Sequence, residues 1–219
     1  MKNIIKVKDK LHLINAIEQE IEINGVNCDL NHLNVSGITD MSRVFLNSKF
    51  NGDISRWNVS KVRNMNSMFY YSQFNSNISH WDTSRVKDMK GMFSGSQFNG
   101  DISRWDVSNV INMRGMFSHS LFNSDISQWD VSHVIYMDFV FYNSQFSQDL
   151  TLWDTSKAES IEDMFEDCPA PLPYWSQYKN KNERSRVVAE FKIQREKEAL
   201  NQILPSPEEK FMIRKNYKV

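Results

Sequence analysis

The chain has 219 residues, a formal net charge of −1 and a sequence pI of about 6.5, so as a whole it is not drawn to nucleic acid or to a membrane surface. No stretch approaches the roughly 18 apolar residues that a membrane span needs. The opening residues lack the apolar core and cleavage site of a secretory signal peptide and carry no lipid-attachment cysteine, which predicts a cytoplasmic protein.

The first predicted element is a helix near residues 8–22. Leu11, Ile14, Ile17 and Ile21 are spaced to share one helical face, and Asp9 stands near the start, where an acidic side chain can cap free amides. The end of a repeat stack needs a cover with a polar outer face. Residues 1–25 are therefore predicted to form an N-terminal helical cap on the repeats that follow.

An octapeptide recurs along the next part of the chain. FNGDISRW stands at 50–57 and again at 98–105, while FNSNISHW begins at Phe74 and FNSDISQW at Phe122, so the period is 24 residues. Fixed periods of 20–50 residues are the signature of stacked repeat architectures. The six units are 26–49, 50–73, 74–97, 98–121, 122–145 and 146–169.

Two periodicities lie within each unit. Trp57 and Val59 alternate with polar residues, as in a short strand with one buried face. Four apolar residues then follow at helical spacing, namely Val62, Met65, Met68 and Phe69. Ser60 lies between the two segments and is interpreted as the helix N-cap. The predicted fold class is an α/β repeat solenoid, in which six strand-plus-short-helix units, similar to leucine-rich repeats, stack between helical N- and C-terminal caps.

This pattern resembles the BspA-like leucine-rich repeat family, in the version FNxxISxWDVSxVxxMxxMF known from mycoplasma lipoproteins and bacterial surface proteins. The resemblance covers residues 26–169. It implies a solenoid of short strands and helices that serves protein recognition, often at a cell surface. That surface location differs from the cytoplasmic location predicted from the opening residues.

The last predicted region is residues 170–219, a linker followed by a helix. Three prolines between 169 and 173 break the repeat, and the stretch from Asn182 to Leu204 then favours a long helix that ends before Pro205. Val188, Phe191, Leu200 and Ile203 are placed to form an apolar stripe. Two interpretations stay open: a helix that caps the stack, or a projecting arm that docks on a partner or mediates self-association with a second copy.

The sequence contains no pattern that carries catalysis or binds a cofactor. Its five histidines are scattered, no metal-ligand spacing, phosphate-binding glycine loop or nucleophile motif occurs, and we predict no enzyme activity, no cofactor and no metal. One polar position recurs directly after the Trp position, as Asn58, Asp82, Asp106, Asp130 and Asp154. A stripe that binds cations is one interpretation. Recurrence in every unit favours the other, a local Asx bond to the backbone.

Partner binding is assigned to exposed positions that vary. Arg56, His80 and Arg104 directly precede a Trp and are predicted to form a row on the open sheet face, against a partner with an acidic patch. Arg63 and Lys87 vary at one position of the predicted helix. The last unit is the most acidic, with seven acidic residues against one lysine. It supplies the remaining candidates, Glu159, Glu162, Asp163 and Glu166.

The predicted function is that of a non-enzymatic protein–protein interaction module, a bacterial intracellular regulator or inhibitor that covers a partner's surface. The alternative is an adhesin or recognition protein on the cell surface, as the resemblance implies. The third choice is a nucleic-acid binder that would use Arg56, Arg63, Lys87 and Arg104, and nucleic acid is the less favoured partner at this net charge.

Overall fold

The computed structural model describes residues 3–203. A strand β1 (Ile5–Lys6) and a helix α1 (Lys10–Asn24) open the chain, and β1 pairs in parallel with β2 (Leu33–Asn34), Ile5 lying opposite Leu33. A 3-10 helix (Tyr174–Gln177) and a helix α2 (Lys181–Ile203) close it. The predicted helix end before Pro205 and the side chain of Ile203 lie outside what is described.

Helix α1 forms where expected but presents a different face. Asp9 caps it by accepting a hydrogen bond from the His12 amide at 2.8 Å. Leu13, Ala16 and Ile17 are buried, whereas Leu11 is 68% exposed, so its assignment to the buried face was wrong. At about 100° per residue, Leu11 lies roughly 120° around the helix from Ile17, while Leu13 lies only about 40° away.

The repeats stack on one another through a parallel ladder. Isolated bridges join residues 24 positions apart, from Asp40 and Asn64 through to Tyr136 and Ser160. Amides of one unit donate to carbonyls of the next, as Phe69 N–H does to the Met92 carbonyl at 2.9 Å. Each unit therefore depends on its neighbour for its backbone hydrogen bonds, which is the property expected of a repeat array.

Apart from β2 in the first unit, the strand and helix predicted inside each unit are not formed. Between residues 35 and 173 the described backbone consists of turns and isolated bridges. In the second unit, Ser67 lies inside the predicted helix and Tyr71 just after its last apolar residue, and their φ values are left-handed at 53° and 50°. An α-helix cannot continue through left-handed residues. Ser60 is therefore no helix cap, and its hydroxyl instead donates to the Asn58 side-chain oxygen at 2.7 Å.

Columns of aromatic rings fill the stack. The recurring Phe and Trp positions are buried as predicted, apart from the half-buried Phe165 of the last unit, and equivalent rings lie almost parallel at about 6 Å, as between Trp81 and Trp105. Each indole also donates to a carbonyl of the preceding unit: Trp105 Nε1 reaches the Ile78 oxygen at 3.1 Å. A buried Trp needs such an acceptor, and this bond fixes the ring between two units.

A second ladder consists of asparagine side chains, which the sequence analysis did not assign. The Asn51 side-chain oxygen accepts from the Asn75 amide at 2.7 Å, and Asn75 in turn accepts from Asn99 at 2.9 Å. The ladder continues through Asn123 to Ser147. Its signal was the Asn that follows the Phe in most units.

Helix α2 combines the two interpretations that the sequence left open. Its first turns cover the last unit: Arg184 is fully buried and donates to the carbonyls of Thr155 and Ala158, and Val188 is also buried. From residue 192 to 200 the side chains are exposed, Leu200 by 56%. The beginning of α2 therefore caps the stack, while the later turns keep their side chains exposed and line a groove against Leu152 and Trp153 of the last unit.

Candidate protein-interaction face

The backbone places one variable side chain per unit in a single row. Starting from the Thr39 carbonyl, each amide donates to the carbonyl 24 residues earlier, at 2.8 Å for Arg63 and 2.9 Å for the later members. Neighbouring members lie about 4.8 Å apart in such a ladder. Their side chains are exposed or, for Ile135, half-buried. We call this set the ladder row, and it consists of Thr39, Arg63, Lys87, Ile111, Ile135 and Glu159.

Basic side chains gather at the start of the ladder row. Lys61, Arg63 and Arg85 line a shallow groove of about 240 Å³, and Arg63, Arg85 and Lys87 line an adjoining groove of about 250 Å³. None of these four residues, the basic cluster, forms an ion pair with another described residue. The cluster therefore projects a positive potential that no ion pair within residues 3–203 neutralises.

Half of the basic cluster could be predicted from the sequence. Arg63 and Lys87 vary at a recurring position and were predicted, whereas Lys61 and Arg85, which follow the recurring serine in their units, were not. Lys61 and Arg63 lie beside Arg85 and Lys87 only because neighbouring units stack. The two pairs are 24 residues apart in sequence, so no local pattern indicates that they form one cluster.

The row of Arg56, His80 and Arg104 has a different setting from the predicted one. All three side chains are exposed beside a buried Trp, but they lie in turns, so the predicted open sheet face is wrong. Carboxylates accompany the row: Arg56 lies 3.7 Å from Asp29. The surface is therefore mixed in charge.

Arg104, like Arg56, has a carboxylate nearby, and this is seen in the lowered pKa of Asp101. Hydrogen bonds from Ser103 are the main cause that lowers the Asp101 pKa, slight burial opposes them, and the charge of Arg104 adds to the lowering. The positive charge of Arg104 is therefore partly balanced by Asp101 of its own unit.

The middle of the ladder row is apolar and aromatic. Ile111 is 36% and Tyr136 44% exposed. The Arg114 guanidinium lies 5.9 Å from the centre of the Tyr136 ring and also pairs with the buried Asp138, 2.5 Å between charged atoms. Phe139, on a left-handed backbone with φ of 59°, stands edge-on to Tyr142, with 5.9 Å between the ring centres.

The far end of the ladder row is acidic. Glu162 and Glu166 are exposed and Asp163 is half-buried, while Glu159 pairs with Lys181 at the start of α2. The pKa of Glu166 is raised, chiefly by the charge of Asp163, with smaller contributions from slight desolvation and from Asp167. The four predicted acidic candidates thus share one end of the stack, and only Glu159 is neutralised by α2.

The polar position after each Trp has the predicted structural role. The side-chain oxygens of these residues accept from the serine amide two residues later, at 3.1 Å for Asn58 and 3.0 Å for Asp106. The Asx interpretation is confirmed. Residues 3–203 contain no group of three or more His, Cys, Asp or Glu side chains able to hold a metal ion. Neither described α-helix combines the length and apolar character needed to cross a membrane.

Two overlapping segments, residues 14–121 and 71–178, match the family described as "Mycoplasma protein of unknown function, DUF285". Together they span most of the chain, as does the stack. The chain belongs to the DUF285 family. No curated protein and no solved structure matches it. A mycoplasma-type repeat family is therefore established.

In this DUF285 protein the structure sorts the sequence-predicted residues into three places. Arg63 and Lys87 lie side by side in the basic cluster. Glu159 ends the ladder row, while Glu162, Asp163 and Glu166 lie in the same last unit, Asp163 and Glu166 beside a groove lined also by Leu172. Arg56, His80 and Arg104 occupy the turns before the Trp column instead. The ladder row is thus the better candidate for a recognition surface, because its charge is graded along the stack.

Proposed function

We propose that this DUF285 chain is a non-enzymatic protein–protein interaction module and that the ladder row and the basic cluster form its recognition face. One observation carries the proposal. The buried positions repeat from unit to unit as Phe, Ile or Leu and Trp, while the exposed ladder row changes from Thr through Arg, Lys and Ile to Glu. The fold needs the first set and makes no demand on the second, so the second is free to suit a partner.

The character of the face favours a protein as that partner. It offers a basic end, an aromatic middle with Arg114 against Tyr136, and an acidic end. Arginine and aromatic residues are enriched in protein interfaces, and complementary charge fixes the orientation of a partner. The partner surface would carry an acidic patch opposite the basic cluster. A folded protein surface can carry charges that complement all three parts of this face, whereas the uniformly negative backbone of a nucleic acid complements only the basic end.

We further propose that the stack is a BspA-like leucine-rich repeat solenoid. The FNxxISxWDVS pattern, the 24-residue ladder and the membership of a mycoplasma repeat family support this assignment. The role we favour is that of an intracellular regulator or inhibitor that covers the working surface of its partner. A surface adhesin is the alternative, and protease treatment of intact cells separates the two: cleavage of the native protein would exclude the intracellular role.

The experiment compares two matched charge reversals in capture of the partner from the native host. Arg63→Glu with Lys87→Glu reverses the basic cluster, while Arg56→Glu with Arg104→Glu reverses the mixed-charge turns. Both pairs are exposed, so both variants should keep the parental melting temperature. We expect the first variant to lose the partner and the second to retain it. Capture that survives the first change would exclude the basic cluster, and loss only in the second would return the interface to the turns before the Trp column.

The same variants test nucleic-acid binding. If the basic cluster binds nucleic acid, the parent should retain an oligonucleotide at low salt, and its affinity should fall steeply as salt rises. We expect no retention, because a cluster of four basic residues is followed along the ladder by apolar and acidic ones.

A further inference from the structure

The last repeat leaves one edge of the ladder open. At each interior junction, amides of one unit donate to carbonyls of the next, as Phe139 donates to Glu162 at 2.9 Å and Phe141 to Met164 at 3.0 Å. No further unit follows the sixth. The equivalent amides are those of Ile161, Asp163, Phe165 and Asp167, and none of them donates to a residue within 3–203. Residues 161–167 form turns, with left-handed Asp163 and Asp167, but their unpaired row of amides can accept a further chain segment as the open edge of a sheet does.

A groove runs beside this open edge. It has a volume of about 540 Å³, within the range of ligand-binding clefts. Ile161, Met164 and Phe165 of the last unit line one side, and Leu172 and Pro173 of the following segment line the other. The segment that closes the stack covers its interior, where Trp175 is fully buried, but it stands apart from the ladder edge by the width of this groove.

The opposite end of the molecule shows how such an end can be completed. There β1 adds to the first unit in parallel: Ile5 N–H donates to the His32 carbonyl at 2.9 Å and Val7 N–H to the Asn34 carbonyl at 3.1 Å. The chain thus supplies its own extended segment at the start of the stack. In the described part of the chain, no segment does the same for the Ile161–Asp167 ladder edge.

The charge of the rim determines what kind of segment fits. Asp163 and Glu166 line the groove, and Glu162 and Asp167 stand beside them, with Lys179 as the basic residue of the lining. These acids crowd one another and, unlike Glu159, make no ion pair with a described residue. A segment that carries Lys or Arg would relieve this repulsion, whereas an acidic one would increase it.

We propose that the ladder edge of the last unit binds a basic segment of a partner protein, which continues the ladder in the turned conformation of a repeat unit. Carbonyls of the segment accept from the amides of Ile161, Asp163, Phe165 and Asp167, and an apolar side chain of the segment enters the groove between Phe165 and Leu172. Main-chain hydrogen bonds give such complexes their affinity, and side-chain pockets give them specificity. This surface is separate from the basic cluster, so either proposal can fail without the other.

The probe is a synthetic peptide with the sequence of residues 61–72, KVRNMNSMFYYS. In the stack this segment presents the carbonyls that accept from the preceding unit, and it carries two basic residues. In amide NMR spectra of the ¹⁵N-labelled full chain, we expect saturable shifts and slower hydrogen exchange at Ile161, Asp163, Phe165 and Asp167. The amides of Phe139, Phe141 and Asn143, which are already paired, are the internal control and should not change.

Two variants test the charge argument. Glu162→Lys with Glu166→Lys should weaken the peptide at least tenfold, while Glu190→Lys, an equally exposed change on α2, should leave its affinity unchanged. The absence of saturable binding would overturn the proposal. So would shifts confined to the basic cluster, or changes at the edge amides that depend on protein concentration without peptide, which would indicate a second copy as the occupant.

Discussion

Replacing Trp105 with Ala tests the stacking argument most directly. The Trp105 side chain is buried with 3% exposure, its ring lies 6.3 Å from that of Trp81, and its indole donates to the Ile78 carbonyl. Removing a buried aromatic costs about 3–5 kcal/mol, and the lost indole hydrogen bond adds about 1 kcal/mol, while the Ile78 carbonyl keeps the bond that it accepts from the Trp81 amide. We expect a loss of about 4–6 kcal/mol in the free energy of unfolding.

Urea denaturation followed by circular dichroism measures this loss. With a typical slope of about 2 kcal/mol per molar urea, the midpoint should fall by about 2–3 M. Trp105→Phe is the matched control, because it keeps an aromatic ring in the column and removes the indole N–H, and it should lose less than half as much. An Ala variant within about 1 kcal/mol of the parent would refute the inter-unit role of the indole column.

Three further predictions concern single contacts. Asn99→Ala removes the acceptor of the Asn123 amide and should cost about 1 kcal/mol in urea denaturation. Arg184→Met should release the start of α2 from the last unit, seen as faster amide exchange there, and Arg184→Lys should not rescue it, because one ammonium cannot reach the spread carbonyls that the guanidinium binds. Burial opposes ionisation of Asp154, but Lys192 and Ser156 outweigh it and lower its pKa. Asp154→Asn should therefore be less stable than the parent above about pH 4, with the difference vanishing as pH falls through the lowered pKa.

The sequence predicted the repeat period and the buried positions because both depend on identity at fixed spacing. Phe98, Ile102 and Trp105 are buried as their recurrence indicated. The Asx bond after the Trp was also predictable, since an Asp two residues before a Ser amide is a local arrangement. These features could be predicted because neighbouring residues or the repeat period are enough to indicate them.

The local backbone could not be predicted in the same way. The apolar spacing from Val62 to Phe69 fits an α-helix, and Ser67 gives no sign of a left-handed conformation. Glycine stands at the equivalent position in the next two units, as Gly91 and Gly115, and was the only hint. The left-handed turn forms because it lets the amides of one unit donate to the carbonyls of the next. This stabilisation arises only between stacked units, so the sequence of a single unit does not indicate it.

Left-handed residues also connect the fold with the recognition face. Two positions in every unit adopt positive φ, and at Tyr71 and Phe139 the residue is a bulky aromatic with φ of 50° and 59°. A left-handed conformation costs a residue with a side chain about 1–2 kcal/mol in conformational energy compared with glycine. Gly95 stands where Tyr71 stands one unit earlier, so the stack accepts glycine at this position. Tyr71 is 53% exposed, and the other side of its ring packs over Gly95, where an added Cβ would come within 2.9 Å of the ring. Phe139 carries the same backbone strain in the fifth unit and stands edge-on to Tyr142. Because strained residues cluster at functional sites, we expect Tyr71→Ala and Phe139→Ala to weaken capture of the partner if either ring belongs to the interface, and unchanged capture would leave both rings with a role in the stack alone.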